Sequence, residues 1–330
     1  MAGTGSHRFA MLDGWRATSI LLVLAGHLLP LGPRWMELNA AVAASGMALF
    51  FILSGFLITR FLAETRALTV FFIRRFARIV PLAWVAIAVA LPMAGASPYQ
   101  WVANLFFFAN LPPFGLADTA AHLWSLSLEM QFYVAIALFV GVFGQRALHA
   151  LPLFCLAVTG ARIATGTTIS IVTWFRADEI LAGGVLALTY AGWFGATAQR
   201  LVARTPVWIA VPLLFASAHP AFGPLMYLRP YLAMLTVGST LYNAPALLRR
   251  VFETRAMAYV ATTSYALYII HGVLMSTWLG SGGTLVKYAK RPLLFALTFG
   301  LAHLSTFRFE QPLVARAKRL ADVPRGHEVA

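Results

Sequence analysis

The first long apolar stretch of the sequence, at residues 12–30, contains two ionisable side chains, Arg16 and His27. Roughly 20 apolar residues cross the hydrocarbon core of a bilayer, so this stretch predicts a membrane-spanning helix. A charged side chain at the centre of such a helix costs about 2.5–3.5 kcal/mol on insertion scales, which makes both residues candidates for a functional site. Their separation is close to three helical turns and places them on one face, about 16 Å apart along the axis. We therefore expect both to face the interior of a helical bundle.

The composition extends this interpretation to the whole chain. Hydrophobic residues make up 60% of the sequence and charged residues 11%, which is typical of a polytopic membrane protein. The N-terminus lacks the arrangement of a cleavable signal peptide, so the first apolar run is interpreted as a retained span. Only residues 308–330 form a longer polar stretch, which predicts a short basic cytoplasmic tail. We expect an all-α fold and a single integral membrane domain over residues 1–330.

Apolar runs bounded by charge, proline or glycine predict about ten transmembrane helices. They lie near residues 12–31, 40–61, 72–94, 122–143, 148–164, 171–190, 206–219, 226–245, 258–279 and 290–307. Residues 99–113 form either an eleventh span or a re-entrant segment. If this segment does not cross, nearly all the arginine-rich loops lie on the cytoplasmic side, as the positive-inside rule requires. We therefore expect ten spans with both termini in the cytoplasm.

Charge and cysteine content exclude several classes of function. The net charge is +14, but the basic residues collect in a few loops and the tail, where membrane topology explains them without a nucleic-acid partner. The single cysteine, Cys155, excludes an intramolecular disulfide, and no cluster of metal ligands is evident. We expect neither nucleic-acid binding nor a metal site.

Four ionisable residues on separate predicted spans are expected at a similar depth, near the outer side of the membrane. They are His27, Glu129, Asp178 and His271. Each needs a polar partner or water to offset its desolvation, so this layer indicates a shared internal cavity. Chance placement is the alternative.

A second cluster, Arg74, Arg75 and Arg78, begins the span that follows residue 71. These arginines are interpreted either as positive-inside anchors or as a site for a phosphate-bearing ligand, because guanidinium groups match phosphate oxygens. The expected level of Arg16 is similar, which favours the ligand site.

Seven motifs, in order, resemble the membrane-bound acyltransferase family 3 proteins, which O-acylate sugars and related hydroxyl compounds. The motifs are LDGWRATSILLVLAGH, FFILSGFLIT, RRFARIVP, HLWSLSLEMQFYV, RADEILAGGVLAL, SYALYIIHG and FRFEQP. Two positions depart from the family pattern, Met130 where a second acidic residue is frequent and Val273 where proline is common. The resemblance is to the standalone form, without a fused hydrolase-like domain.

The resemblance implies an integral membrane enzyme of the bacterial cytoplasmic (inner) membrane, with no tightly bound cofactor. The donor would be acyl-CoA, most commonly acetyl-CoA, and the acceptor a hydroxyl of a carbohydrate or glycosylated compound. By position, His27 would be catalytic with Arg16 as its partner, and Glu129 a functional carboxylate. Arg75 and Arg78 would bind the donor.

Acyl transfer to a hydroxyl needs a general base, and imidazole titrates in the required range, so His27 is assigned this role. Glu129 or Asp13 is the candidate carboxylate that orients it. Asp13 alternatively forms an i,i+3 ion pair with Arg16, and Glu129 alternatively neutralises an arginine.

The other candidate substrate-binding residues also have structural interpretations. They are His122, Trp124, Arg176, Asp178 and His271. Asp178 alternatively pairs with Arg176, and His271 with a backbone carbonyl. His122 and Trp124 either line the entrance for the acceptor or anchor the chain at the interface.

A proton-coupled transporter is the competing function, because ionisable groups at one depth also suit a proton relay. No internal repeat is evident, which weakens it. A structural or receptor-like membrane protein fits poorly with so many charges inside the membrane.

Overall fold

A computed structural model describes residues 10–322, and in that range it contains helices and no strand. The predicted all-α membrane fold is confirmed. The α-helices are α1 Ala10–Leu28, α2 Leu38–Glu64, α3 Leu68–Met93, α4 Pro98–Leu105, α5 Trp124–Phe143, α6 Leu151–Ala164, α7 Asp178–Tyr190, α8 Gly195–Arg204, α9 Val207–Ala218, α10 Arg229–Tyr242, α11 Ala246–Phe252, α12 Arg255–Met275, α13 Thr284–Ala289, α14 Arg291–Leu304 and α15 Gln311–Asp322.

The described residues form two compact units that interleave along the sequence. Unit 1 comprises the chain up to Arg60 together with residues 149–170 and 175–264. Unit 2 comprises residues 61–148, residues 171–174 and the chain from Tyr265 onward. Helices α2 and α12 therefore contribute to both units.

Fewer helices qualify as membrane spans than the sequence predicted. Among the described residues, six segments are long and apolar enough to cross, or seven if the bent pair α7–α8 is one span. The prediction of ten spans is therefore higher than helix length and apolarity support. Two of the predicted spans are the short helices α9 and α10, of 12 and 14 residues, which extend only about 18–21 Å at 1.5 Å per residue. Helix α1 is not among the six segments, because its polar residues lower its mean hydropathy.

The segment at 99–113 contains only the eight-residue helix α4, about 12 Å long, which is too short to cross. Ser97 begins this helix with a capping box, in which its hydroxyl accepts from the Gln100 amide and its own amide donates to the Gln100 side chain. The turn after α4 is fixed by Gln131 of α5. Its amide nitrogen donates to the Phe107 carbonyl and to Asn110 Oδ1, both at 2.8 Å. This result agrees with the topology in which the segment does not cross.

Close helix packing in unit 1 depends on glycine. A Cβ at Gly55 of α2 would collide with the Ile180 carbonyl of α7, and one at Gly183 with the Ile52 carbonyl. Likewise, a Cβ at Gly46 would lie 2.7 Å from the Ser19 carbonyl. Small residues let membrane helices approach closely, so these glycines bring α1, α2 and α7 together.

The predicted tail at 308–330 is in part a packed helix. A π-helical turn, Ser305–Glu310, joins α14 to α15, and α15 packs against α3. Ala317 of α15 is buried, while its basic residues lie on the exposed side of the helix. The amphipathic pattern explains why a polar segment is ordered here. Residues 323–330 of the predicted tail lie outside the described range.

Candidate functional site

Helix α1 carries Arg16 and His27 on one uninterrupted α-helix, as the spacing predicted. Arg16 Nη1 lies 3.4 Å from Asp13 Oδ1, and both side chains are about one-fifth exposed. The i,i+3 ion pair between Asp13 and Arg16 is therefore formed, which makes a guanidinium tolerable within an apolar helix. Orientation of His27 by Asp13 stays a prediction.

The end of α1 that carries Arg16 is fixed by its neighbour Trp15. The Trp15 Nε1 donates to Thr240 Oγ1 of α10 at 2.8 Å, and its ring meets Phe252 of α11 edge to face at 5.1 Å. Gly14 leaves the room for this contact, because a Cβ there would overlap the Phe252 ring. Aromatic packing and a buried hydrogen bond thus hold this end of α1 in place.

His27 is half-buried in the last turn of α1. The side chain of Asn39, at the start of α2, donates to the carbonyls of Gly26 and Leu29, each at 2.7 Å. These carbonyls belong to the helix end, where backbone acceptors lack intrahelical partners. The turn that carries the imidazole is therefore anchored to α2.

A fully buried ion network lies elsewhere in unit 1. Arg162 Nη1 contacts Asp178 Oδ2 at 2.5 Å, and Arg229 Nε contacts Glu179 Oε1 at 2.5 Å. Arg176 Nε lies 3.2 Å from Glu179 Oε2. Both acids begin helix α7, where the helix dipole also favours negative charge. Asp178 thus forms its ion pair with Arg162 and also interacts electrostatically with Arg176. Substrate binding by Arg176 and Asp178 stays a prediction.

Three members of this network, Arg162, Glu179 and Arg229, were not identified from the sequence. Arg162 and Arg229 each lie within a predicted span, where a charged side chain is as costly as Arg16 and equally indicates a functional site or a buried partner. Their pairing with α7 depends on contacts between helices far apart in sequence, for which a single sequence gives no signal.

In unit 2, Glu129 of α5 is 4% exposed and accepts a hydrogen bond from the Tyr133 hydroxyl one turn later. The Arg75 guanidinium of α3 lies 5.9 Å from the centre of the Tyr133 ring, a cation–π contact, and within electrostatic range of Glu129. The predicted donor residue Arg75 and the predicted functional carboxylate Glu129 therefore meet through Tyr133. Tyr133 was not identified as a site residue from the sequence.

The second arginine of the pair, Arg78, is exposed and interacts electrostatically with Arg75 and Glu310. Glu310 lies in the π turn and accepts hydrogen bonds from Ser305 and Thr306. The hydroxyl of Tyr265 donates to the Ile79 carbonyl at 2.6 Å, beside these charges. Arg75 and Arg78 thus differ in setting, since Arg75 is half-buried and Arg78 is open.

A pair of histidines forms a separate group in unit 2. The rings of His122 and His271 are 5.7 Å apart, and a Cβ at Gly272 would overlap His122. His122 Nε2 donates to the Ile269 carbonyl and His271 Nδ1 to the Leu267 carbonyl, each at 3.1 Å. His271 is therefore bonded to a backbone carbonyl, as one interpretation predicted. Substrate binding by His122, His271 and the nearby half-buried Trp124 stays a prediction.

The four residues predicted in one layer divide between the units. His27 and Asp178 belong to unit 1, and Glu129 and His271 to unit 2, so their common depth stays a prediction. Across residues 10–322, no group of three or more histidine, cysteine, aspartate or glutamate side chains is placed to hold a metal ion.

Comparison with models of protein families assigns the chain to a family. The model of the acyltransferase 3 family, described as an acyltransferase domain, matches residues 9–307. The chain belongs to this family. Membership of the acyltransferase 3 family confirms the resemblance seen in the seven motifs. It also confirms that the chain is an integral membrane protein of an enzyme family.

Three known proteins are similar in sequence to the chain. Peptidoglycan O-acetyltransferase OatA of Listeria monocytogenes is 26% identical over 79% of this chain and 48% of its own length. Nodulation protein 10 of Rhizobium leguminosarum is 23% identical over 88% of this chain and 89% of its own length. Putative peptidoglycan O-acetyltransferase YrhL of Bacillus subtilis is 27% identical over 57% of this chain and 34% of its own length.

The chain spans about half the length of OatA and a third of YrhL. No solved structure matches the chain.

Proposed function

We propose that the chain transfers an acyl group, acetyl in the first instance, from acyl-CoA to a hydroxyl of a carbohydrate or glycosylated acceptor. Family membership over residues 9–307 is the observation that carries this proposal. The name of OatA, a peptidoglycan O-acetyltransferase, supports a carbohydrate acceptor. We place the protein in the bacterial cytoplasmic membrane with both termini in the cytoplasm.

His27 is the general base of the proposed reaction. Its imidazole takes the proton of the acceptor hydroxyl while the hydroxyl oxygen attacks the thioester carbonyl. Collapse of the tetrahedral intermediate breaks the carbon–sulfur bond, and the imidazolium returns the proton to the departing CoA thiolate. The Asn39 contacts to the turn of His27 support this role, because they hold the base in a fixed position.

Arg75 and Arg78 bind the phosphates of the donor in this proposal, since guanidinium groups pair well with phosphate. Glu129 holds Arg75 through Tyr133, which limits the motion of the guanidinium before the donor arrives. Arg16, paired with Asp13, maintains a polar environment along the face of α1 that carries His27.

Purified protein in detergent tests the proposal with acetyl-CoA as the probe. Wild type is expected to bind acetyl-CoA and hydrolyse it slowly without an acceptor. His27→Ala should keep binding and lose turnover by about 100-fold or more, the usual contribution of a general base. His303→Ala is the matched control, because this histidine is exposed on α14 and lies outside the candidate site.

Arg75→Ala tests donor binding in the same assay, and we expect the dissociation constant of acetyl-CoA to rise by about tenfold or more. If no protein binds acetyl-CoA, the proposed donor is wrong. If His27→Ala turns over as fast as His303→Ala, the general-base assignment fails while the family assignment is unaffected.

A further inference from the structure

An apolar groove runs along three helical segments of unit 2. Its volume is about 450 Å³, comparable with that of one long acyl chain. Leu82, Val85 and Val89 of α3 form one wall, spaced to share one helix face. The other walls come from α12, including Ile269 and Val273, and from the segment that ends at Phe309.

The groove is open on one side. Val85 and Val89 are 49% and 50% exposed, and Leu301 and Leu304 are 43% and 56% exposed. All four side chains belong to segments long and apolar enough to cross a membrane. In a membrane protein such a surface faces the acyl chains of lipids. These chains are apolar, as the lining of the groove is.

One end of the groove is basic. Arg308 is exposed, directly precedes Phe309 and follows Leu304 by one turn. Arg78 precedes Leu82 by one turn on the face that lines the groove. Helix α15, which packs against α3 beyond this end, adds Arg316, Lys318 and Arg319. The lining of the groove itself contains no charged side chain, so Arg308 and Arg78 lie beside the groove and not in its wall.

We propose that this groove binds an anionic glycerophospholipid, with an acyl chain along α3 and α12 and the phosphate at Arg308. Arg78 is assigned to the donor in the function proposed above, so it contributes to the positive potential at this end without being required as a lipid contact. A juxtamembrane arginine attracts an anionic headgroup, and the apolar lining attracts the chain.

The distance between charge and apolar lining distinguishes this lipid from a long-chain acyl-CoA. In a glycerophospholipid only the glycerol ester separates the phosphate from the chain, and here one helical turn, about 6 Å, separates Arg308 from Leu304. In acyl-CoA the whole pantetheine arm stands between the phosphates and the acyl chain. The compact arrangement fits the phospholipid.

Native mass spectrometry in a mild detergent tests this inference, because it measures which lipids the protein retains. The probes are dioleoyl phosphatidylglycerol and dioleoyl phosphatidylcholine, which share their acyl chains. Wild type should retain phosphatidylglycerol in preference by about fivefold, as expected for one arginine at a headgroup. Arg308→Gln should abolish this preference, and Val85→Trp, which fills the groove from a half-exposed position, should reduce retention of both lipids.

Two control variants keep their lipid if the groove is the site. Arg146→Gln removes an exposed arginine of unit 2, and Val142→Trp enlarges an exposed valine of α5, neither of which lines the groove. Equal retention by Val85→Trp and Val142→Trp would overturn the proposal. So would displacement of phosphatidylglycerol by oleoyl-CoA at equal concentration, which would identify the occupant as a donor chain.

Discussion

At the scale of residues, the buried charges of unit 1 carry a large cost of desolvation. Arg162, Asp178, Glu179 and Arg229 have no exposed surface, and Arg176 is 2% exposed. Three positive groups face two negative ones, so each carboxylate stabilises more than one guanidinium. Removal of one member leaves a partner charged and desolvated, which costs far more than loss of a surface pair.

Asp178→Asn should therefore lower the free energy of unfolding by about 3–5 kcal/mol, because Arg162 then lacks its carboxylate. The measurement is denaturant unfolding in a fixed detergent. Asp13→Asn is the matched control, since it breaks a longer and partly exposed ion pair, and its expected cost is about 1 kcal/mol or less. Equal costs for the two variants would contradict the view that burial makes the Asp178 pair essential.

At the scale of elements, glycine decides how closely helices of unit 1 approach. The contact of Gly55 with the Ile180 carbonyl leaves no space for a methyl group, whereas Gly160 of α6 has open space around its Cα. Both glycines lie within helices, where alanine is otherwise preferred by about 1 kcal/mol. The local preference for alanine and the packing constraint therefore oppose each other at Gly55, whereas no packing constraint opposes alanine at Gly160.

Gly55→Ala should destabilise the protein by about 1–3 kcal/mol through forced separation of α2 and α7, as in other overpacked interiors. Gly160→Ala should leave thermal stability unchanged or raise it slightly. Thermal unfolding of both variants in the same detergent checks this pair. A Gly55→Ala protein that is as stable as Gly160→Ala would show that α2 and α7 pack less closely than described.

The sequence predicted the existence of helices better than their lengths. The apolar runs behind α2, α3, α5 and α12 correspond to helices long enough to cross, and α4 was recognised as an exceptional segment. Hydropathy does not register the turns that shorten α9 and α10, because the residues around those turns are also apolar. Ionisable residues within an apolar run identified α1 as part of the candidate site. The acid–arginine pairs of α7 could not be predicted, because they form through tertiary contacts between distant helices.

At the scale of the whole molecule, neither unit is a continuous stretch of sequence. Residues 149–170 and 175–264 of unit 1 lie between two parts of unit 2. Unit 2 is therefore completed only by the last part of the chain, in which the π turn and α15 contact α3. Unit 1 has all its segments before residue 265.

A chain that ends at Leu304 lacks the π turn and α15, and we expect unit 2 to lose stability selectively. Amide hydrogen exchange should accelerate in α3, which loses its packing partner, while α7 and α10 of unit 1 keep their protection. The 330-residue chain, which contains α15, is the control. Equal loss of protection in α10 would show that the two units unfold together.

The contact between Asn39 and the end of α1 has a consequence for sequence variation. Because the Asn39 amide holds the Gly26 and Leu29 carbonyls, the turn that carries His27 is tied directly to the start of α2, across the connection at residues 31–37. Substitutions and small changes of length in that connection should therefore be tolerated as long as an amide remains at position 39. The turn that carries the proposed base thus has a tertiary anchor in addition to the chain connection itself.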